Sequence, residues 1–198
     1  MIAQITTSPE EQAEIQHRTE ALERHAAFRA EKDWKKKIYE DAVVLAVLTP
    51  ENSRIVVSLG DQRGMLLTGD KVAIDYPISS GTKSHPTPTG SYTVLERSEK
   101  YSSNLYGKIV DAAGAVVKSS ADRLKDSVPE GGSFVGAPMP YWIRFTGSGV
   151  GMHVGHLPGR PASHGCVRMP KTVAPKIYSR VKCGTPVELV ELYTPPTL

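Results

Sequence analysis

Polar and charged positions dominate from Ser8 to Glu40. A thin apolar stripe through Ile15, Leu22, Ala26 and Phe28 fits a helix with one weakly apolar face. Ser8-Pro9-Glu10-Glu11 supplies the start of that helix: a serine cap, a proline at the first helical position and a capping-box glutamate. Beyond residue 41 the period shortens. Val43–Leu48, Arg54–Leu59, Met65–Thr68, Lys71–Ile78 and Ser91–Glu96 are short β-rich runs. They are separated by turn-forming segments, among them Thr49-Pro50-Glu51-Asn52 and a Gly/Pro/Thr-rich stretch over residues 81–90. Strands at this spacing predict a sandwich or barrel. Residues 98–138 are rich in Ser, Gly and Ala without regular alternation and predict a long loop or lid. Tyr141–Phe145 and Gly151–Val154 follow as strands. A helix over Pro170–Lys182 carries Val173, Ile177, Tyr178 and Val181 on one face, with Gly184 as its stop, and Val187–Leu192 closes the chain as a last strand.

The pattern divides the 198 residues into a charged helix or spacer (1–40), one mostly β domain (41–193) and a short tail (194–198). The longest apolar run, Ala42 to Leu48, is too short to cross a bilayer and reads as a buried strand. The opening thirty residues are charged rather than apolar, unlike a signal peptide. Two cysteines do not make a disulfide framework. The net charge of +3 conceals a sharper feature: residues 131–187 contain no Asp or Glu but seven Lys or Arg. Such a segment favours anionic ligands. Nucleic acid is disfavoured, because no aromatic stacking platform is interleaved with the arginines.

Within that acid-free segment lies the chemistry. His153, His156, His164 and Cys166 fall inside fourteen residues, Met152-His153-Val154-Gly155-His156 leading to Ser163-His164-Gly165-Cys166. Structural zinc sites use pairs at short, matched spacings, and this arrangement matches none. A cysteine nucleophile is the better fit, since it needs a base, a group to orient the base, and donors for an oxyanion. His153, at the end of a strand, can fold back on Cys166 as that base. Glycine in His164-Gly165-Cys166 permits the unusual backbone that turns amides toward one point. With no carboxylate in the whole segment, a carbonyl beside His153 is the simplest group to orient it.

These residues also carry a family resemblance. Ser163-His164-Gly165-Cys166-Val167-Arg168 resembles the signature of the L,D-transpeptidases, the YkuD-type catalytic domain of bacterial peptidoglycan enzymes. Pro77-Ile78-Ser79-Ser80-Gly81 with Thr87-Pro88-Thr89-Gly90-Ser91-Tyr92, then Met139-Pro140-Tyr141-Trp142, Gly151-Met152-His153 and Gly184-Thr185-Pro186-Val187, are similar to other segments of that family. One departure is Val154, which stands where the family commonly has glycine.

The resemblance implies a β-sandwich or barrel-like YkuD fold with one helix behind the active loop. It implies Cys166 as nucleophile, His153 as general base, the Val154 carbonyl as its orienting group, and the Gly165 and Cys166 amides as the oxyanion hole. Ser163 and His164 would shape the loop and Arg168 would anchor it or meet a substrate carboxylate. His156 and Tyr141 are further candidates for the substrate side. No cofactor or metal is implied. The substrate would be a peptidoglycan stem peptide held as a thioester and passed to an amine of a second stem or of an envelope protein. Carbapenem-type β-lactams would be covalent inhibitors, and the place of action would be the cell envelope or periplasm. Water as acceptor, giving an L,D-carboxypeptidase, is the near alternative. A non-catalytic wall-binding or metal-stabilised module is the distant one.

Overall fold

The computed structural model describes residues 8–196. Helix α1 runs Pro9–Ala30, with the Ser8–Glu11 capping box in place. It ends ten residues earlier than the charge pattern suggests. Its buried face is Ala21, Leu22, His25 and Phe28, while Ile15 is exposed. The stripe is therefore shorter than the sequence implies and holds a histidine. Past Phe28 there is no large apolar residue to bury until Trp34, and Asp33 turns the chain in the left-handed region (φ 60°). A 3-10 turn, Trp34–Lys36, then leads into strand β1, Tyr39–Glu40.

The run Ala42–Val47 is helix α2, not the strand its β-branched residues suggest. Asp41 decides this: its Oδ1 accepts the Val43 and Val44 amides at 3.0 and 3.1 Å, capping a helix start. Arg24 and the Tyr39 hydroxyl hold that carboxylate in place at 2.8 and 3.1 Å. Val44 is buried, whereas Val43 and Val47 face solvent.

The main sheet follows. Its strands are β2 (Ser53–Ser58), β3 (Arg63–Thr68), β4 (Lys71–Pro77), β5 (Gly90–Thr93) and, from the far end of the chain, β13 (Pro186–Val190), in the order β1-β4-β3-β2-β13-β5. β13 lies parallel to β2 and closes the sheet between β2 and β5. The single run expected over Ser91–Glu96 divides at Val94 and Leu95. The Val94 amide bonds Thr185 in the main sheet and the Leu95 amide bonds Arg144 in a second one. That second sheet comprises β6 (Glu96–Ser98), β10 (Trp142–Arg144), β11 (Gly151–Val154) and β12 (Val167–Met169), ordered β12-β11-β10-β6. The core between the sheets includes Ile55, Val57, Leu66, Ile74, Ile143, Met152, Val167 and Met169. Helix α3 is only Ala174–Tyr178, inside the longer span expected from the sequence. It lies in the first turns around Pro175, where the missing N–H is tolerated. Its Ile177, with Val173 and Val181 on either side of the helix, seals the core.

Residues 98–138 form a third sheet rather than a loop: β7 (Ser102–Val110), β8 (Val116–Asp122) and β9 (Ser133–Pro138), ordered β8-β7-β9. Both pairings with β7 are antiparallel and interrupted by register shifts. Most of these residues are exposed or half-buried, so neither face needs an apolar alternation. That is why the sequence pattern does not reveal it.

Far from hanging off the domain, α1 is tied to the main sheet by buried charge. His25 Nε2 lies 2.9 Å from Asp75 Oδ2 on β4, and Arg63 Nε donates to Asp75 Oδ1 at 2.7 Å. Arg63 Nη1 also donates to the carbonyls of Trp34, Lys35 and Lys37. Arg63 and Asp75 are wholly inaccessible. Removing one member of such a pair leaves an unpaired buried charge. Asp75→Ala is expected to lower the stability measured by chemical denaturation by about 3–5 kcal/mol, with loss of α1 protection in hydrogen exchange. An unchanged midpoint would show the network to be dispensable.

Candidate active site

The parallel pairing of β11 with β12 assembles the site. Met152 pairs with Val167, His153 with Arg168 and Val154 with Met169. Because side chains alternate across a strand, Met152, Val167 and Met169 enter the core. His153, Cys166 and Arg168 face the other way, into a cavity of about 920 Å³ that all three line. Thus a base and a thiol separated by a crossover loop share one wall.

His153 is buried, and its Nδ1 lies 2.8 Å from the Val154 carbonyl oxygen. A carbonyl can only accept, so Nδ1 carries the proton and Nε2 keeps its lone pair. Burial pushes the imidazole down from its ordinary 6.5 to about 4. The Val154 carbonyl opposes this shift and the Arg168 charge adds to it. The Trp142 ring stands beside it, with centroids 6.2 Å apart. The Cys166 thiol is pushed up by burial, partly offset by the Gly151 amide and by Arg168. The resting pair is therefore a neutral imidazole and a protonated thiol.

The loop before β12 presents the thiol. Gly165 has φ +114°, a conformation that side chains other than glycine's rarely adopt. Its N–H donates to Ser163 Oγ at 3.1 Å, and Ser163 Oγ in turn donates to the Cys166 carbonyl. The Gly165 amide is thus committed within the loop, which corrects the expectation that it serves an oxyanion. The Cys166 amide makes no hydrogen bond among the described residues.

Opposite this wall stands the third sheet. The Tyr106 ring of β7 stacks on His164 at 4.4 Å and 17°, and His85 meets His164 edge-on at 4.9 Å. Burial and the neighbouring His85 lower the His164 pKa. At the other end Tyr101 stacks on Trp142 at 5.1 Å and 8°. These two stacks hold the third sheet across the cavity, which its residues help to wall.

Arg168 lies along Gly155, where any Cβ would come within 2.8 Å of its Cγ and Cδ. Its Nη1 reaches only the His156 carbonyl at 3.5 Å, and no carboxylate among the described residues pairs with it. A guanidinium on a cavity wall without an acid keeps donors that a planar carboxylate could pair with.

Two expected site residues are not brought in. His156 is exposed, offers only its carbonyl to Arg168 and does not line the cavity. Tyr141, at φ 56°, packs edge-on against Tyr178 at 5.6 Å on the core side, because its backbone reversal turns it away from Trp142. Among the described residues no group of three His, Cys, Asp or Glu side chains is placed to hold a metal ion. Sequence reasoning missed Tyr101 and Tyr106, for which their isolation in a polar segment gives no signal. It gave Thr87 and Trp142 only as parts of motifs, without a contact for either.

Comparison with known proteins gives the family and the fold. The family model of the L,D-transpeptidase catalytic domain, YkuD, matches residues 52–189. The chain belongs to the L,D-transpeptidase catalytic-domain family. Its fold is similar to that of an L,D-transpeptidase from Mycobacterium smegmatis (TM-score 0.53, 22% identity), covering 70% of this chain and 58% of that one. It is also similar to the LD transpeptidase LdtMt1 in complex with imipenem (TM-score 0.52, 23% identity, 70% and 59% covered). A third similar structure is the Ldtfm-avibactam carbamoyl enzyme (TM-score 0.50, 25% identity, 70% and 49% covered). The chain therefore spans between about half and three-fifths of the length of these solved chains. No curated protein sequence matches it. Among the described residues no helix is long and apolar enough to cross a membrane.

Proposed function

We propose that the chain is a cysteine-dependent L,D-transpeptidase that carries a peptidoglycan stem peptide as a thioester on Cys166. The observation that supports this most is the shared cavity wall, on which a neutral His153, its tautomer set by the Val154 carbonyl, accompanies the Cys166 thiol. His153 Nε2 takes the thiol proton as sulfur attacks the carbonyl carbon of the L,D amide. The developing oxyanion is met by the free Cys166 amide. The C–N bond then breaks, the leaving amine takes the proton from His153, and a thioester remains. An amine of a second stem, or of an envelope protein, releases the acyl group by the reverse sequence. Arg168, without an acidic partner, receives a stem carboxylate.

β-Lactams would enter the same path, since ring opening by Cys166 is the same acyl transfer. Two similar structures, one in complex with imipenem and one an avibactam carbamoyl enzyme, support that extension. Work on peptidoglycan places the site of action outside the cytoplasmic membrane.

The test is incubation with a tetrapeptide muropeptide, with and without a second stem, followed by product masses. A cross-linked dimer, accompanied by release of the terminal D-residue, is expected. Tripeptide alone, even with excess second stem, would make water the acceptor and the protein an L,D-carboxypeptidase. No product at all would overturn the reading.

A further inference from the structure

Thr87 is buried on the segment that leads into β5, away from the loop that bears the nucleophile in sequence but in contact with it in space. Its Oγ1 accepts the Gly81 amide at 2.8 Å and donates to the Gly165 carbonyl at 2.7 Å. The hydroxyl proton is thereby assigned, and its only acceptor is the peptide group joining Gly165 to Cys166. In a trans peptide the C=O and the following N–H point in opposite directions. Fixing the Gly165 oxygen on Thr87 therefore fixes the direction of the Cys166 N–H, on the side away from Thr87.

Among the described residues that amide has no hydrogen-bond partner, whereas the Gly165 N–H is taken by Ser163. The peptide also needs holding. Glycine at φ +114° has other backbone conformations of similar energy open to it, so rotation of the 165–166 peptide is opposed mainly by what its carbonyl binds. Ser163 ties the Gly165 nitrogen and the Cys166 carbonyl, on either side of this peptide, but not the peptide itself.

We infer that Thr87 is a positioning residue for acyl transfer: its hydroxyl latches the Gly165–Cys166 peptide so that the Cys166 amide faces the oxyanion. The inference rests on the proposal that Cys166 is acylated, and deepens it. Thr87 touches neither substrate nor sulfur and acts only through that peptide.

The latch separates two reactions of one thiol. Acylation by imipenem forms an Sγ–C bond, breaks the ring C–N bond with proton transfer to nitrogen, and passes through an oxyanion. Alkylation by iodoacetamide displaces iodide from a saturated carbon and passes through none. Both rates are to be followed by intact mass on the full chain for wild type, Thr87→Val and Thr87→Ser. Thr87→Val is expected to slow acylation by about 10–100-fold, short of the loss of a whole oxyanion donor, while alkylation stays within about twofold. Thr87→Ser, which keeps the hydroxyl, is expected to restore most of the acylation rate.

Unaltered acylation in Thr87→Val would overturn the latch and leave the proposed function standing. An equal fall in both rates would show a general loosening of the loop and overturn it too. Should Thr87→Val fail to fold, Thr87→Cys, with a weaker donor of similar size, must give an intermediate acylation rate, and a wild-type rate there counts against the latch. A wild-type thiol that alkylates but never acylates would remove the proposed function and the latch together.

Discussion

Replacing His153 by alanine should lower the rate of acyl transfer by about 10²–10⁴-fold, the range that a positioned general base contributes. The size of the effect follows from the protonation states in the cavity. Burial holds the imidazole down at about 4 and the Cys166 thiol above its ordinary value, so almost no thiolate exists until a base takes the proton. The same reasoning sets the pH dependence. Wild-type kcat/KM should be flat from about pH 8 to 5 and fall with a midpoint near pH 4, where His153 becomes protonated. In His153→Ala that acid limb should vanish, and the residual rate should climb with pH as solvent deprotonates the thiol. A wild-type midpoint near 6.5 would mean that the imidazole is solvated or that the reactive form is an ion pair. His156→Ala should leave the midpoint where it is, since that ring lies off the cavity wall.

Stability carries the matching sign. The folded-state pKa of His153 lies below the ordinary 6.5, so on acidification the unfolded chain binds the proton first. This residue's contribution is therefore present above pH 6.5 and is lost as the pH falls toward 4.

The second large effect is expected at Gly165. An added Cβ would meet only Val150 Cγ2 at 3.7 Å and the Pro86 carbonyl oxygen at 3.9 Å, ordinary contacts that leave room for it. The cost comes instead from the backbone, held at φ +114°. Gly165→Ala should relax the loop out of that conformation and turn the Cys166 amide away. A kcat loss of about 10²–10³-fold is expected, the penalty for one missing oxyanion donor, with little change in KM. If kcat instead stays normal while the unfolding free energy falls by about 1–3 kcal/mol, the loop has kept its shape under strain and the amide is still in place.

How much of this could be read from the residues alone depended on whether the deciding interaction was local. That Ser163, Gly165 and Cys166 share one tight loop was legible because they are sequence neighbours whose bonds close within four residues, though the bond from the Gly165 amide to Ser163 was not. His153 was legible because a strand end and an absence of acids left a carbonyl as its partner, and the structure places Val154 there. Ala42–Val47 was misread because its cap depends on Asp41 being held by Arg24, a residue on another element. The strands of the third sheet were hidden by their two-sided exposure and bulged register. Nothing in the sequence marks the 78-residue reach from Thr87 to Gly165, or the 50-residue reach from His25 to Asp75.

The neutral resting pair has a consequence beyond turnover. Peroxides and other small oxidants attack thiolates far faster than thiols, and susceptibility follows thiolate content and exposure. A sulfur kept protonated on the same cavity wall as an uncharged ring is a poor target until an electrophile of the right shape arrives to draw the proton across. The enzyme would thus be stored in a chemically quiet form, with damage confined to the brief interval in which it is working.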